Sequence, residues 1–476
     1  MPSSSLQLLV TIAAIALLVL AARLYNRTHT PEDFLVGRRR LPATTVALSS
    51  ALTQLPPWLL FAIAVLAYQL GLAASWIALA AWLGTAVGML WVAPHAQQHA
   101  KRQQAYSISC VLHADTGERL QVAIRRSIAG VVVFSLSVAI GAQLQWLSSM
   151  LANMTGAPVW LILCSSAAVL LMSTLLGGLW VAVVADAVVA IALLLLSVGI
   201  AIAAANSGGL PSLAQLSAPS LRPQAWGDNV LLIALVVGVF FLIASALAQP
   251  AALTRHLATH VENPQRSKWL ALTWGALMLW LALLIGWCAR AQSGEADALL
   301  RFEQWLPQPI AHYVWVSLLC AGVAAQLSNC IAMAGLLGHD WTYRSPNTLG
   351  SENLLWYRWA LAFVIALAVL VAFSLTTTSF EAMWFAWHAM GASLAPLLIV
   401  RLSGKRVRPD SMLGSIWAGF ALTIIFHVMP DTPGDLMERG LPFITALGIA
   451  LSGGDQRRNP DRADRGQQTV HDRLPI

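Results

Sequence analysis

The sequence predicts an all-α membrane protein with about 13 transmembrane helices, and three observations support this fold class. Of its 476 residues, 58% are hydrophobic and only 10% are charged, whereas soluble globular domains carry about 25% charged residues. Uncharged apolar runs of roughly 20 residues recur along the chain, and this length matches the hydrocarbon thickness of a bilayer. Because lipid offers no hydrogen bonds to the backbone, such runs must be helical.

The apolar segments are numbered here as spans 1 to 13. Span 1 is not expected to be a cleaved signal peptide, because it lacks a basic leader and a small-residue cleavage site, and further apolar runs follow it. Span 13 is short, so an interfacial position stays open for it. The approximate limits of the spans are 6–24, 42–70, 75–94, 126–150, 157–176, 182–205, 229–253, 269–289, 308–338, 354–375, 380–400, 411–429 and 440–453.

Basic residues are distributed unequally between the loops. The odd-numbered loops and the tail hold 23 Lys and Arg residues, and the even-numbered loops hold four. Because basic loops stay in the cytoplasm, we expect an external N-terminus and a cytoplasmic C-terminus in the plasma (inner) membrane of a bacterium. The net charge of +7 is thus explained by loops, and the expected partners are a small-molecule solute and the lipid bilayer, with no nucleic acid. The sequence leaves the oligomeric state open.

Prolines interrupt spans 2 and 7. Pro56 and Pro57 lie in the middle of span 2 and Pro250 lies in span 7. Each proline removes an amide donor and crowds the carbonyl four residues earlier. Interrupted helices at matching places in two halves indicate a transporter binding site, although a pair of ordinary proline kinks is an equally weighted alternative.

Few polar groups lie inside the spans. Asp186 is near the start of span 6, and a carboxylate there is costly and usually functional, although a structural partner at a helix end is the alternative. His388 in span 11 is better explained as a buried structural imidazole. Amide side chains flank both helix breaks and favour a cavity there. We find no phosphate loop, metal cluster or nucleophile triad, which argues against an enzyme, an ATP-driven pump, a metal and a cofactor.

Five stretches resemble, in order and at matching spacing, segments of the sodium/solute symporter family, most closely of its sodium/proline symporter branch. The resemblance runs from about Pro31 to Leu451, and Asp186 matches an aspartate of the family. It implies the LeuT-type fold, in which two inverted five-helix repeats enclose a site near the middle of the membrane. The stretches read EDFLVGRRRLPATTVALSSALTQLPPWLLFAIAVLAYQLG, LLGGLWVAVVADAVVA, LAQPAALTRHLA, AAQLSNCIAMAGLLGHDWTYR and FAWHAMGASLAPLLIVRL.

This resemblance divides the chain into five parts. Residues 1–40 hold the first span and a cytoplasmic loop, and residues 41–205 form the first inverted repeat (spans 2–6). Residues 229–403 form the second repeat (spans 7–11), and residues 404–453 hold the peripheral spans 12 and 13. Residues 454–476 are charged and rich in Pro, Gly and Gln, which predicts a disordered cytoplasmic tail.

The sodium site of the family does not map onto matching chemistry here. Its carbonyl ligands correspond to Leu52 and Leu55, and its hydroxyl pair corresponds to Ala324 and Ala325, whose methyl groups cannot coordinate a cation. Ser328 lies about one helical turn further on and would supply a ligand only if the helix shifted. Hence sodium coupling is not expected to be strict. Asp186 is the candidate for carrying a proton instead, with His388 as a second proton site.

The substrate positions of the proline branch also differ. An aspartate near the first break is replaced by Gln54, and a Trp and a Tyr before the second break are replaced by Leu242 and Ala246. Proline is therefore not the expected solute. We predict a secondary transporter of a small organic solute such as an amino acid or a carboxylate. The alternative is a degenerate sensor or regulatory membrane protein. The solute is expected to contact Gln54, Trp58, Gln143, Ala246 and Gln249.

Overall fold

The computed structural model describes twelve parts of the chain. These are residues 4–103, 107–112, 118–208, 212–217, 233, 236–238, 247–258, 265–292, 308–341, 354–375, 379–429 and 436–455. The predicted tail beyond residue 455 and most of span 7 lie outside the described residues, so those predictions stay open.

Helices dominate the described residues. The α-helices α1 to α17 are, in chain order, Ser4–Leu24, Pro31–Val36, Ala43–Gln54, Pro57–Leu70, Ala74–Val87, Ala93–Gln103, Ile108–Val111, Glu118–Thr155, Val159–Gly208, Leu213–Leu216, Pro250–Leu257, Gln265–Gln292, Gln308–Gly335, Leu354–Ser374, Ser379–Leu402, Pro409–Val428 and Leu436–Ser452. Short 3-10 helices occupy Tyr25–Arg27, Gly37–Arg39 and Gly71–Ala73, and π-helical turns occupy Gly88–Val92 and Leu336–Trp341. The two-residue strands β1 (Arg406–Val407) and β2 (Gly454–Asp455) pair antiparallel.

Eight helical stretches in the described part of the chain are long and apolar enough to cross a membrane, which makes this a multi-pass membrane protein. Two of these stretches each contain more than one predicted span. The stretch Pro57–Gln98 covers the second half of span 2 and all of span 3, and Val159–Asn206 covers spans 5 and 6. The count of 13 spans therefore remains a prediction.

The central helices pack around α9. This helix contacts α1, α3, α8 and α13, while α12 packs against α4 and α15 packs against α8. As a result, the two halves of span 2 (α3 and α4) lie among α9, α12 and α13, and the break between them is buried.

Candidate functional site

The break in span 2 lies between α3 and α4. Helix α3 ends at Gln54, Leu55 adopts φ −121° and ψ 70°, and α4 begins at Pro57. Because Pro56 and Pro57 have no amide hydrogen, the carbonyls of Leu52 and Thr53 lose their usual helical donors. These carbonyls are held inside the protein, since Leu52 is fully buried. The break therefore places backbone carbonyls without helical donors in an otherwise apolar interior.

A second helix start lies beside the first break. Gln249 precedes α11 as its N-cap residue, and α11 begins at Pro250. Gln249 is buried, and its Oε1 has no hydrogen-bond partner among the described residues. Ala246, which we predicted to contact the solute, lies outside the described residues, as does Leu242.

A small cavity of about 30 Å³ opens where the two breaks meet. About 10–15 Å³ of such volume holds one water, so the cavity is too small for an organic solute unless the helices move apart. No side chain among the described lining residues is ionisable. The lining residues are Thr53, Pro56, Trp58, Leu136, Ala139, Gln143, Gln249, Ala325, Gln326, Asn329, Met383 and Trp387.

Of the predicted solute contacts that the structure describes, three line the cavity and one does not. Trp58, Gln143 and Gln249 line the cavity. Gln54 does not; its side chain packs toward span 3, where a Cβ built on Gly88 would lie 3.0 Å from Gln54 Oε1. Its neighbour Thr53 faces the cavity instead, because successive helical residues point about 100° apart.

A chain of amides runs along one wall of the cavity. Gln326 donates from Nε2 to Gln143 Oε1, Asn329 donates to Gln326 Oε1 over 3.1 Å, and Gln143 donates to the carbonyl of Gly322 over 3.2 Å. Asn329 Oδ1, like Gln249 Oε1, has no partner within the described part of the chain. Two buried acceptors are thus available to a solute that carries N–H or O–H donors.

Two indoles of the cavity lining, Trp58 and Trp387, belong to an aromatic cluster. Trp58 meets Phe380, Trp384 and Trp387 edge to face, with ring centroids 6.0, 5.5 and 5.6 Å away. Since Trp58 belongs to α4 and the other three rings belong to α15, this cluster fastens the second half of span 2 to span 11. Edge-to-face pairs of this kind stabilise by about 0.5–1.5 kcal/mol each.

An ion pair lies next to the cavity. Arg255 Nη2 donates to Asp186 Oδ2 and to Ser328 Oγ, Arg255 Nε donates to Ser49 Oγ, and Ser49 Oγ donates to Asp186 Oδ2 over 2.8 Å. All four side chains have 0% exposure. We call these four residues the Arg255 cluster. Arg255 follows the predicted end of span 7 and therefore counts among the 23 basic loop residues, and the structure corrects this, because Arg255 is buried between helices.

The other predicted coupling residues lie in three places. Leu52 and Leu55 flank the helix break, and Ser328 accepts a hydrogen bond from Arg255. His388 belongs neither to the cavity lining nor to the Arg255 cluster. It is 2% exposed and stacks on Trp384 at 5.9 Å, and its Nε2 has no partner among the described residues. The structure therefore does not join His388 to Asp186.

Sequence reasoning missed Arg255, Ser49 and Trp387. A signal was present for Arg255, because the stretch LAQPAALTRHLA resembles a family segment with an arginine at this place. Ser49 and Trp387 carry no signal in a single sequence, since serine and tryptophan are common in membrane helices.

Comparison with known proteins gives relatives along most of the chain, although no family model matches. The high-affinity proline transporter PutP of Bacillus subtilis is 23% identical, and the match covers 84% of this chain and 88% of that protein. A sodium/proline symporter of Haemophilus influenzae is 22% identical, with 87% of this chain and 86% of that protein covered. The sodium/proline symporter of Escherichia coli is 21% identical, with 91% of each chain covered.

Solved structures of similar fold are also transporters. A Na⁺-coupled sialic acid symporter in a substrate-bound outward-open state has a TM-score of 0.71 and 14% identity, covering 95% of this chain and 99% of that one. A nucleobase-cation-symport-1 family transporter in a closed conformation with bromovinylhydantoin bound has a TM-score of 0.54 and 14% identity, covering 88% and 92%. At this identity the likeness concerns the fold alone. The relatives and the fold together make the chain a divergent relative of the sodium/solute symporters.

Proposed function

We propose that the chain is a secondary active transporter, symporter-like, of a small organic solute, and that it works by alternating access. The observation that carries this proposal is the cavity at the two helix breaks, whose described lining contains amides and indoles and no ionisable side chain. The proposal includes 13 spans, inverted repeats at 41–205 and 229–403, and a cytoplasmic C-terminus in a bacterial inner membrane.

The cavity favours a solute with donors and an apolar body. Gln249 Oε1 and Asn329 Oδ1 accept hydrogen bonds, and the faces of Trp58 and Trp387 pack against hydrocarbon or attract an ammonium group. The 14-residue helix α4 begins at the break, and a helix N-terminus favours a carboxylate. An amino acid or a related carboxylate meets all three conditions. The proline transporters and the sialic acid symporter named above support a small organic molecule as the solute.

Transport is proposed not to depend strictly on sodium, with protons as the alternative driving ion. Ala324 and Ala325 lack the oxygen that sodium requires. In this conformation Asp186 is held by Arg255 and Ser49, so it can exchange a proton only after Arg255 moves away. His388 remains the second proposed proton site.

Uptake into proteoliposomes tests the function. Radiolabelled amino acids and small carboxylates are offered under an imposed proton or sodium gradient, and we expect accumulation of at least one of them. Gln143→Ala is expected to weaken apparent affinity at least tenfold, because it removes an amide of the cavity wall. Gln145→Ala is the matched control, since Gln145 lies two residues away, outside the lining, and accepts a bond from Ser379.

The alternative function is that of a sensor or regulatory membrane protein. Ala324 and Ala325 at the positions of the sodium ligands favour it, because a protein that no longer couples transport to an ion does not need ligand oxygens there. Thermal-shift binding of a solute that is never accumulated under either gradient would support the sensor and contradict transport.

A further inference from the structure

The chain of amides along the cavity wall begins at a backbone carbonyl. Gln143 of α8 donates from Nε2 to the carbonyl oxygen of Gly322 on α13 over 3.2 Å. Gly322 has no side chain to keep this amide away, since a Cβ built there would lie 3.0 Å from Gln143 Nε2. Because a carbonyl oxygen only accepts hydrogen bonds, it requires the NH2 end of Gln143 to face it.

This first bond sets the orientation of the two amides that follow. The oxygen of Gln143 faces Gln326, which therefore donates to it from Nε2, and the oxygen of Gln326 accepts from Asn329 Nδ2 over 3.1 Å. Reversing all three amides would place two oxygens against each other at Gly322. The network thus decides which end of each amide is the oxygen. The last oxygen, Asn329 Oδ1, is left without a partner among the described residues.

Two further residues of the cavity add acceptors. Gln249 is 1% exposed, and its Oε1 has no partner in the described part of the chain. Thr53 uses its hydroxyl hydrogen in a 2.8 Å bond to the carbonyl of Ser49, so only the lone pairs of its oxygen remain available. Asn329, Gln249 and Thr53 all line the cavity. A solute without hydrogen-bond donors would leave these oxygens buried and unpaired, which is unfavourable.

The charge of the lining restricts the solute further. The described lining contains no ionisable side chain, and the buried charges of Arg255 and Asp186 neutralise each other. A solute with a net charge would therefore be buried without a counterion, which is costly. A zwitterion carries its own counterion, and its ammonium group supplies the N–H donors that the three oxygens need.

We propose that Asn329 is the specificity-determining residue of the cavity, that Gln143 and Gln326 hold it as an acceptor, and that the recognised solutes are zwitterionic amino acids with N–H donors. This inference rests on the proposed function and narrows it. The ammonium group of the solute donates to Asn329 Oδ1 and Gln249 Oε1. Simple carboxylates are rejected because they are net anions without N–H donors, and fully N-methylated amino acids are rejected because they have no N–H group.

Binding to the full-length protein in detergent tests this selection without depending on transport. Thermal-shift titrations give apparent affinities for the twenty standard amino acids, and then for two derivatives of the amino acid that binds most tightly. One derivative is fully N-methylated, and the other is the carboxylate without the amino group. We expect both derivatives to bind at least tenfold more weakly, because a site that pairs with an N–H group rejects analogues that lack it.

A substitution at Asn329 tests its role. The measured quantity is the ratio of the affinities for the amino acid and for its fully N-methylated derivative. Asn329→Leu is expected to lower this ratio at least fivefold, because the acceptor that discriminates between the two solutes is gone. A purely structural role of Asn329 would weaken the binding of both solutes equally and leave the ratio unchanged.

A second substitution tests the anchor of the amide chain. Gly322→Ala keeps all three amides but crowds the amide of Gln143 at its carbonyl partner, and we expect the affinity ratio to fall at least threefold. Gly130→Ala, on the same helix as Gln143, is the matched control, because a Cβ there meets nothing within 4 Å. This control is expected to leave the ratio unchanged.

Three results overturn the inference. They are the absence of stabilisation by any amino acid, equal binding of the amino acid and its fully N-methylated derivative, and an unchanged ratio in either Asn329→Leu or Gly322→Ala. The proposed function is judged separately, by uptake. Accumulation of a donor-free carboxylate would uphold transport and contradict this selection, whereas tight binding of an amino acid that is never accumulated would contradict transport alone.

Discussion

A buried arginine is stable only where its charge and donors are matched, and Arg255 meets this condition through Asp186, Ser49 and Ser328. Removing one partner of a buried ion pair leaves an uncompensated charge and costs about 3–5 kcal/mol. Removing both partners costs less than the sum of the two single changes, because no charge is left behind.

We therefore predict strong coupling between Asp186→Asn and Arg255→Met. Each single variant is expected to lower the apparent Tm in detergent by several degrees, and the double variant is expected to recover part of that loss. The measurement is a double-mutant cycle of thermal unfolding, with Ser50→Ala as the control. Additive losses in the double variant would show that the pair does not act as a unit.

Coupling to ions is the second prediction at this scale. Uptake is expected to proceed without sodium, because Ala324 and Ala325 supply no ligand oxygen. If Asp186 carries the proton, Asp186→Asn abolishes uptake driven by a proton gradient. The measurement is initial uptake in sodium-free medium for the parent and the variant. Strong sodium stimulation of the parent contradicts the first expectation, and unchanged uptake by the variant excludes Asp186 as the carrier.

Single residues were predictable where they broke an apolar pattern. Asp186 and the prolines stand out within uncharged runs, so their sequence neighbours were enough to select them. Arg255 was assigned to a loop because it follows the apolar part of span 7, and only its packing shows the burial. Thr53 and Gln54 could not be separated, because a difference of one residue changes which side of the helix faces the cavity.

At the scale of helices, α9 contains a sharp bend. Gly178 adopts φ +52° and ψ −146° within the stretch Val159–Gly208, a region of backbone space open only to glycine. A Cβ on Gly178 would lie 3.0 Å from the Phe34 carbonyl oxygen. The sequence predicts a short loop at 177–181 between spans 5 and 6, and the structure replaces that loop with a single bent residue.

Gly178→Ala is therefore predicted to destabilise the protein by about 1–3 kcal/mol. Gly199→Ala, on the same helix, is the matched control, because a Cβ there meets nothing within 4 Å. Since alanine is the better helix former by about 0.5–1 kcal/mol, this control is expected to be neutral or stabilising. Thermal unfolding in detergent measures both, and equal Tm values would contradict the strain at Gly178.

The broken helix of span 2 was the element that sequence placed best. Two adjacent prolines in an apolar run leave two carbonyls without donors, so their positions fix the break at Leu55 and Pro56. The π-helical turns at Gly88–Val92 and Leu336–Trp341 were not predictable, because they carry no comparable breaker and depend on packing between helices.

At the scale of the whole molecule, the helical membrane fold followed from composition, but composition did not show which helices pack against one another. Apolar runs require helices in lipid, and this requirement holds whatever the packing. The inverted repeats were inferred from the family resemblance and from the two breaks, since periodicity alone contains no information on which helices meet.

The orientation is the prediction that belongs to this scale. After Ile476, a fused green fluorescent protein is expected to fluoresce and a fused alkaline phosphatase is expected to be inactive, because this end is predicted to be cytoplasmic. A reporter inserted between residues 218 and 228 is expected to be external. The reason is the excess of Lys and Arg in odd-numbered loops. Paired alkaline phosphatase and green fluorescent protein fusions measure both sites. Phosphatase activity at the C-terminus would reverse the predicted topology.

The Arg255 cluster also constrains how the chain is made. Asp186 is synthesised 69 residues before Arg255, and Ser328 another 73 residues later. At about 5–20 residues per second, the carboxylate waits several seconds for its counterion while span 6 enters the bilayer. At a helix centre an unpaired aspartate costs about 2.5–3.5 kcal/mol to insert, and this figure is an upper bound for Asp186, which lies near the start of span 6. Span 6 is therefore expected to stay at the translocon until α11 has been synthesised. Chains truncated before residue 250 are then expected to integrate poorly into the membrane and to be degraded by membrane quality-control proteases.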